Sequence, residues 1–259
     1  MTDTNVNEID VRYPTADDLH LRLSAGACRF NIRPGAGEAW VSGTYRDPSG
    51  RRSPRIEQDG GTIRIVESDN PLDGMTSFLT GIPQYNLAIG KERPFALTVE
   101  TGASDFIADL GGLPITRLEI KQGAGRFEVD FSAPNPEPMS TLNMGSGAGG
   151  MFLKNLANAN FAEMRIEGGA ASYRFDFAGD LRRDGQVRIT TAVSAVEIVV
   201  PTTTAVKVNS EAMLGAFHVG DGFMKKEGAF WNQAALEGKT PVLTIRTNVA
   251  LGALNLRLS

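Results

Sequence analysis

One pattern recurs along this chain with a period near 22 residues, and it constrains the fold more than any other feature. It is plainest from Leu97 to Phe131, where two copies follow one another. Each copy has a short alternating strand, a small-residue corner (Gly102-Ala103, then Gly123-Ala124) and a second alternating strand opened by Phe106 or Phe127. With the corner residue as position zero, the copies centre on Ala27, Ala103, Ala124, Ala148, Ala170, Val193, Leu214 and Leu251. From Ala103 to Leu214 the steps are 21, 24, 22, 23 and 21 residues. The positions six and four before zero, and three and five after it, carry large apolar side chains except at Ser210, Thr247 and Ala108.

Alternation of period two on both sides of a corner means strand, corner, strand, with one face buried and the other solvated. Helix periodicity fits none of it. One such unit cannot cover its own apolar face, whereas stacked units build a continuous core of like on like. The expectation is therefore an all-β, single-stranded parallel β-helix, a solenoid with coils of about 22 residues. Glycine and alanine suit the corners because a tight bend needs permissive φ/ψ and leaves little room for a side chain. The alternative is an antiparallel hairpin at each corner, giving a meander or sandwich. Corners such as AGAC and TAVSA lack the Asn-Gly or Asp-Gly chemistry of two-residue hairpins, which favours the solenoid.

Two stretches break the period. Residues 38–93 hold strand-like runs at Ala39–Tyr45 and Thr62–Val66, the turn-rich DPSGRRSP and the loop SDNPLDGMTSFLTGIPQYN. Residues 220–240 hold Phe223, Phe230 and Trp231, which read either as a partner surface or as a cap on the open end of the solenoid. The domain expectation is a disordered tail over 1–12 and one solenoid domain over 13–259 with these two insertions. The formal net charge of -4 and isoelectric point near 5.4 argue against nucleic acid as a partner. The start of the chain lacks the pattern of a signal peptide, and no stretch approaches the ~20 apolar residues of a membrane span. The expected location is cytoplasmic by default, with recruitment to a membrane left open.

Stacking brings equivalent outward residues to within one strand spacing. Six residues after each corner the column reads Asp109, Asp130, Lys154, Asp176. Carboxylates so close would push one another's pKa apart and could act as an acid/base pair on an acidic polysaccharide, with Lys154 supplying a cation. The plainer alternative is a solvated charge ladder, in which Glu100 with Lys121 and Arg174 with Glu197 also take part. Gly145 to Gly150 satisfies G-x-G-x-x-G, after the strand-like TLNM and before FLKNLANANF, which could pass for a helix, but it lies on a repeat corner in register with Gly123-Ala124 and Gly169-Ala170, so no dinucleotide is expected. His20 and His218 have no metal-like cluster beside them in sequence, and the lone Cys28 reads as a structural thiol. No catalytic, cofactor-binding or metal site is assigned.

The runs RPFALTVETGASDFIADLGGLPITRLEIKQGAGRFEVDF and MRIEGGAASYRFDF, with the closing VALGALNLRLS, resemble the bacterial toast-rack domain. That family is related to the C-terminal domain of LiaF-like cell-wall-active antibiotic response proteins and to DUF-type putative adhesins. The resemblance spans Leu19 to Ser259 and implies a right-handed β-helix used as a sensing or scaffolding module in the envelope stress response. It brings no catalytic motif. The functional expectation is a non-enzymatic scaffold acting on envelope-associated proteins or on copies of itself, with a carbohydrate-active or carbohydrate-binding, adhesin-like β-helix as the alternative.

Overall fold

The computed structural model describes residues 6–67, 81–211 and 214–259. The chain is all-β, and its middle is a stack of long bent strands: β8 (Phe95–Asp109), β9 (Ile115–Asp130), β10 (Met139–Lys154), β11 (Phe161–Asp176) and β12 (Gly185–Val200). Each pairs in parallel with the next. The register is the sequence period made spatial. Leu97, Leu118, Leu142, Met164 and Val187 stand in one row, and Phe106, Phe127, Met151, Tyr173 and Val196 in another. Both rows are buried, so every coil covers its apolar face against the coils on either side.

The corners turn inside the long strands. Gly149 adopts φ 118°, and a Cβ there would collide with the carbonyl oxygen of Gly125 in the coil below. Inside the bend the residues are small and polar. Gln122 Nε2 donates to the carbonyls of Ser104, Ala124 and Arg126 (2.5, 2.9 and 3.2 Å), and Thr101 bonds Ser104 across 2.8 Å. These bonds satisfy backbone that the bend takes out of the ladder. The coils close on the far side through asparagines. Asn155 and Asn160, both left-handed, flank a 3-10 turn at Leu156–Ala159, and buried Asn158 donates to the Phe131 carbonyl at 2.8 Å. The G-x-G-x-x-G stretch lies within β10 and is followed by this four-residue turn.

At both ends the spatial order departs from the chain order. The first coil, β2 (His20–Ala25) and β3 (Cys28–Pro34), stacks on β8 as the period demands. Outside it, however, lies a later segment: β6 (Thr62–Glu67) pairs with β2 and β7 (Gln84–Ile89) with β3. At the other end the final strand, β17 (Val242–Leu258), inserts beside β12. The earlier β13 (Ala205–Glu211) and β14 (Leu214–Val219) are pushed outside it. Leu251 thus stacks on Val193, and Leu214 stacks on Leu251.

A uniform parallel coil is therefore corrected to a mixed sheet. β4 (Val41–Arg46) runs antiparallel to β7, β1 (Val6–Val11) to β4, and β5 (Pro54–Asp59) to β6. At the far end β16 (Ala229–Asn232) lies antiparallel to β13, and β15 (Phe223–Lys226) to β16, ahead of the short helix α1 (Gln233–Leu236). Residues 6–11, expected within a disordered tail, form β1 instead. Their polar content masks an alternation that buries Ile9 and Val11. The first five residues, and residues 68–80 of the long loop, lie outside the described residues.

Candidate functional site

Three members of the Asp109 column stand in register, with Asp109 opposite Asp130 and Lys154 opposite Asp130, while the β10–β11 ladder ends at Leu153 opposite Phe175, one residue before Asp176. Each carboxylate closes a turn. Asp109 accepts from Ser132 Oγ at 2.7 Å and from the Gly111 N–H at 2.9 Å. Asp130 accepts from Asn155 Nδ2 at 2.7 Å and Asp176 from the Ala178 N–H at 2.9 Å. Lys154 makes no ion pair among the described residues. On the same outer face Glu197 accepts both Arg174 (2.6 Å) and Arg257 (2.7 Å), while on the arm before the corner Lys121 pairs with Glu119 (2.7 Å) rather than with its register neighbour Glu100.

The other arm of each coil carries a different column, on its outward face five residues before the corner. From end to end it reads Arg64, Arg22, Thr98, Glu119, Asn143, Arg165, Arg188, Arg246, Asn209. Arg165, Arg188 and Arg246 are exposed and adjacent on three successive strands. Like charges facing one another across a ladder cost stability. Arg165 pairs with Glu163 at 2.8 Å, whereas Arg188 and Arg246 have no ion pair among the described residues. A cleft of about 210 Å³ lies over these three, floored also by Gln186. It meets at Arg165 a larger one of about 580 Å³ over Asn143 and Gly145, whose short side chains leave a trough between Lys121 and Glu167. The net charge hid this local basic line.

His20 sits at the far end of the same arm, with Nε2 2.8 Å from Thr98 Oγ1. Partial burial, then Arg22, Arg117 and Arg64, lower its pKa from the ordinary imidazole value. Cys28 is buried in the first coil, where desolvation and then Glu67 push the thiol up to about 12. That value keeps it protonated and unreactive at neutral pH.

A family profile described as the N-terminal domain of toast_rack, DUF2154, matches residues 1–149, more than half of the sequence. The chain belongs to the toast-rack family. The matched region ends inside β10, and the parallel ladder of this toast-rack chain continues unbroken across that point into β11. Three solved structures are similar to this chain at low identity. A putative cell adhesion protein from Clostridium sporogenes has 16% identity over 98% of this chain and 99% of that one, with a TM-score of 0.49. A putative adhesin from Bacteroides fragilis has 7% identity over 96% and 95%, at 0.43. A putative lipid binding protein from Parabacteroides distasonis has 11% over 98% and 97%, at 0.37. Comparison with curated proteins gives no match. No helix among the described residues is long and apolar enough to cross a membrane.

The aromatic residues of the second insertion sit at the β14 end of the toast-rack sheet. Phe230 meets Phe217 edge-on, with ring centroids 5.2 Å apart, and both Phe230 and Phe223 pack against the core. Trp231 lies beneath Lys207 and Lys226, at 5.5 and 5.3 Å from its ring, and donates from Nε1 to the Lys226 carbonyl. Beside the hairpin, β14 pairs with β17 on one side only among the described residues. Leu214 on it is 75% exposed and continues a corner ridge through Leu251 (49%) and Val193 (54%). The middle coils place alanine on that ridge. In sequence order Leu214 precedes Leu251, so only the permuted stacking shows that Leu251 stands between Val193 and Leu214 in the row.

Proposed function

We propose that this toast-rack chain is a non-enzymatic scaffold that acts through protein–protein contact at the β14 end of its sheet. The observation that carries this is the chemistry of the edge strands. The strands closing the opposite end, VNEIDV and PRIEQD, carry charge or proline, the usual protection against unwanted pairing. Strand β15, FMKK, carries two lysines. Strand β14, LGAFHV, has no acidic residue, lysine, arginine or proline, and its free edge adjoins the ridge of Val193, Leu251 and Leu214. Unpaired backbone groups beside exposed apolar side chains suit a partner that adds an extended strand.

The setting we infer from the family resemblance is the bacterial envelope stress response, on a right-handed winding, with the partner either an envelope-associated protein or a second copy. A photo-crosslinking residue at position 214, with a control at position 56 on β5, tests it in the native cell. Position 214 is expected to give a reproducible adduct that disappears with Ala216→Lys, and position 56 none. Equal labelling from both positions, or an adduct indifferent to Ala216→Lys in a folded protein, would overturn the assignment.

A further inference from the structure

We propose that the outer face of β11, β12 and β17 binds an extended chain of acidic sugars, with Arg188 and Arg246 each taking a carboxylate beside Arg165, whose guanidinium pairs with Glu163. This does not rest on the contact at β14, which lies on a different surface. The three arginines stand in register on adjacent strands, their backbones one strand spacing of about 4.8 Å apart. Folding does not account for them, because like charges at that spacing oppose it. The same protein shows how such a position is otherwise neutralised: on the other arm Arg174 and Arg257 share Glu197. Nothing equivalent faces Arg188 or Arg246 among the described residues. In a chain whose net charge is -4, that is an unbalanced positive line where a fixed anion fits.

The surroundings select the class of anion. The arginines form a single row rather than a patch, which suits a linear polymer better than a planar membrane. The exposed large apolar residues that could anchor in lipid lie at the corner and the ends. No aromatic residue lines either cleft, so there is no platform on which nucleic acid bases could stack. Beside Arg188 and Arg246 the flanking columns offer uncharged hydrogen-bonding groups, whereas beside Arg165 the same columns carry Glu163 and Glu167. Gln186 and Thr244 lie on one side of Arg188 and Arg246, and Thr190 and Asn248 on the other. Such groups suit sugar hydroxyls between fork-shaped, charge-assisted contacts to carboxylates. The larger cleft beyond Arg165 is lined by Glu119 and Glu167 beside Lys121, so the track for an anion is the smaller cleft, a trough over Arg165, Arg188 and Arg246. A uronic acid chain running across the strands would lie along this trough.

The test is calorimetric titration of the full chain with oligogalacturonate at low ionic strength, beside its methyl ester, in which the carboxylates are blocked. Oligogalacturonate is expected to bind and the ester not, with affinity falling as salt is added. Arg188→Ser and Arg246→Ser should each weaken binding about tenfold and together about a hundredfold. Their thermal midpoints should be unchanged or higher, since an opposed pair of like charges is relieved. Absence of binding at low salt, equal binding of the ester, or binding unaffected by the double substitution would overturn the site. So would tighter, arginine-dependent binding of phosphatidylglycerol vesicles or of a single-stranded oligonucleotide.

Discussion

The two ends of the sheet solve the same problem to different degrees. At each, the coil nearest a chain terminus lies one layer inside, with ladders on both sides, and an internal segment forms the outermost coil. The terminal coil is thereby prevented from fraying. The end that holds β6 and β7 is then closed on both arms, by β5 on β6 and by β4 on β7 with β1 on β4. Beneath that cover Phe30, Tyr85 and Tyr45 pack with ring centroids 4.5 and 4.7 Å apart. The β14 end is closed on one arm only, where β16 covers β13. What the difference teaches is that coverage, rather than position in the stack, separates a sealed end from an open one.

The largest effect expected from this comparison is at the β14 end itself. Leu254 on the inserted strand is buried between β12 and β14, whereas Phe217 on the outer strand is only half-buried. Leu254→Ala should cost about 3 kcal/mol and Phe217→Ala about 1, although phenylalanine is the larger side chain. Urea titrations read both. A greater loss from Phe217→Ala would mean that β14 is covered in solution.

A second contrast sets one corner against another. Gly252 holds φ 140°, and a Cβ there would strike the carbonyl oxygen of Ser194 in the adjacent coil. At the opposite end a Cβ on Gly26 would meet nothing closer than Glu67 Oε2 at 3.6 Å. Gly252→Ala should therefore destabilise by about 2 kcal/mol or more, from strain and steric conflict together. Gly26→Ala should stay within about 0.5 kcal/mol. Equal costs would show that the β17 corner relaxes to accept a side chain as readily as the first corner does.

These contrasts also mark how far the sequence could be read. The alternating rows and the small corners follow directly from the spacing of Leu97, Leu118, Phe106 and Phe127, because period two has only one inward face. The order of the coils does not follow. Every copy presents the same apolar rows in the same register, so nothing in the pattern says that Leu251 rather than Leu214 stacks on Val193. The arginine column suffers from this most. In chain order Asn209 separates Arg188 from Arg246, and only the inserted β17 makes them neighbours. A tabulation of the position five before each corner would have shown arginine at Arg22, Arg165, Arg188 and Arg246, which was the available signal. Arg64 belongs to no copy of the repeat. The carboxylates at Asp109, Asp130 and Asp176 were legible as a column, but their turn-closing bonds depend on loop residues that the period does not describe.

Independence of the two ends is a further consequence of stacking, since each coil touches only its neighbours. Cys28 reports on the sealed end. Its buried thiol, with a pKa near 12, should react with iodoacetamide only through local opening. Leu254→Ala, at the far end, should leave that rate unchanged, whereas Leu87→Ala, in the coil directly over β3, should raise it about tenfold or more. A rise of similar size in both variants would show that the stack opens as one unit.

The smallest effect concerns acid and again separates the ends. His20 has a folded pKa below its unfolded value of 6.5, through burial first and then through Arg22, Arg117 and Arg64, with Glu119 opposing. The unfolded chain therefore binds the proton more readily. The neutral ring favours folding fully above about pH 6.5, and that contribution is lost as the pH falls from there through the folded pKa. His20→Gln keeps a hydrogen-bonding group beside Thr98 without the titration. Between about pH 7.5 and pH 5 its thermal midpoint should fall by less than that of the parent. Equal falls would mean that the arginines around His20 reorganise when it charges, and that the sealed end is more yielding than its two layers of antiparallel cover imply.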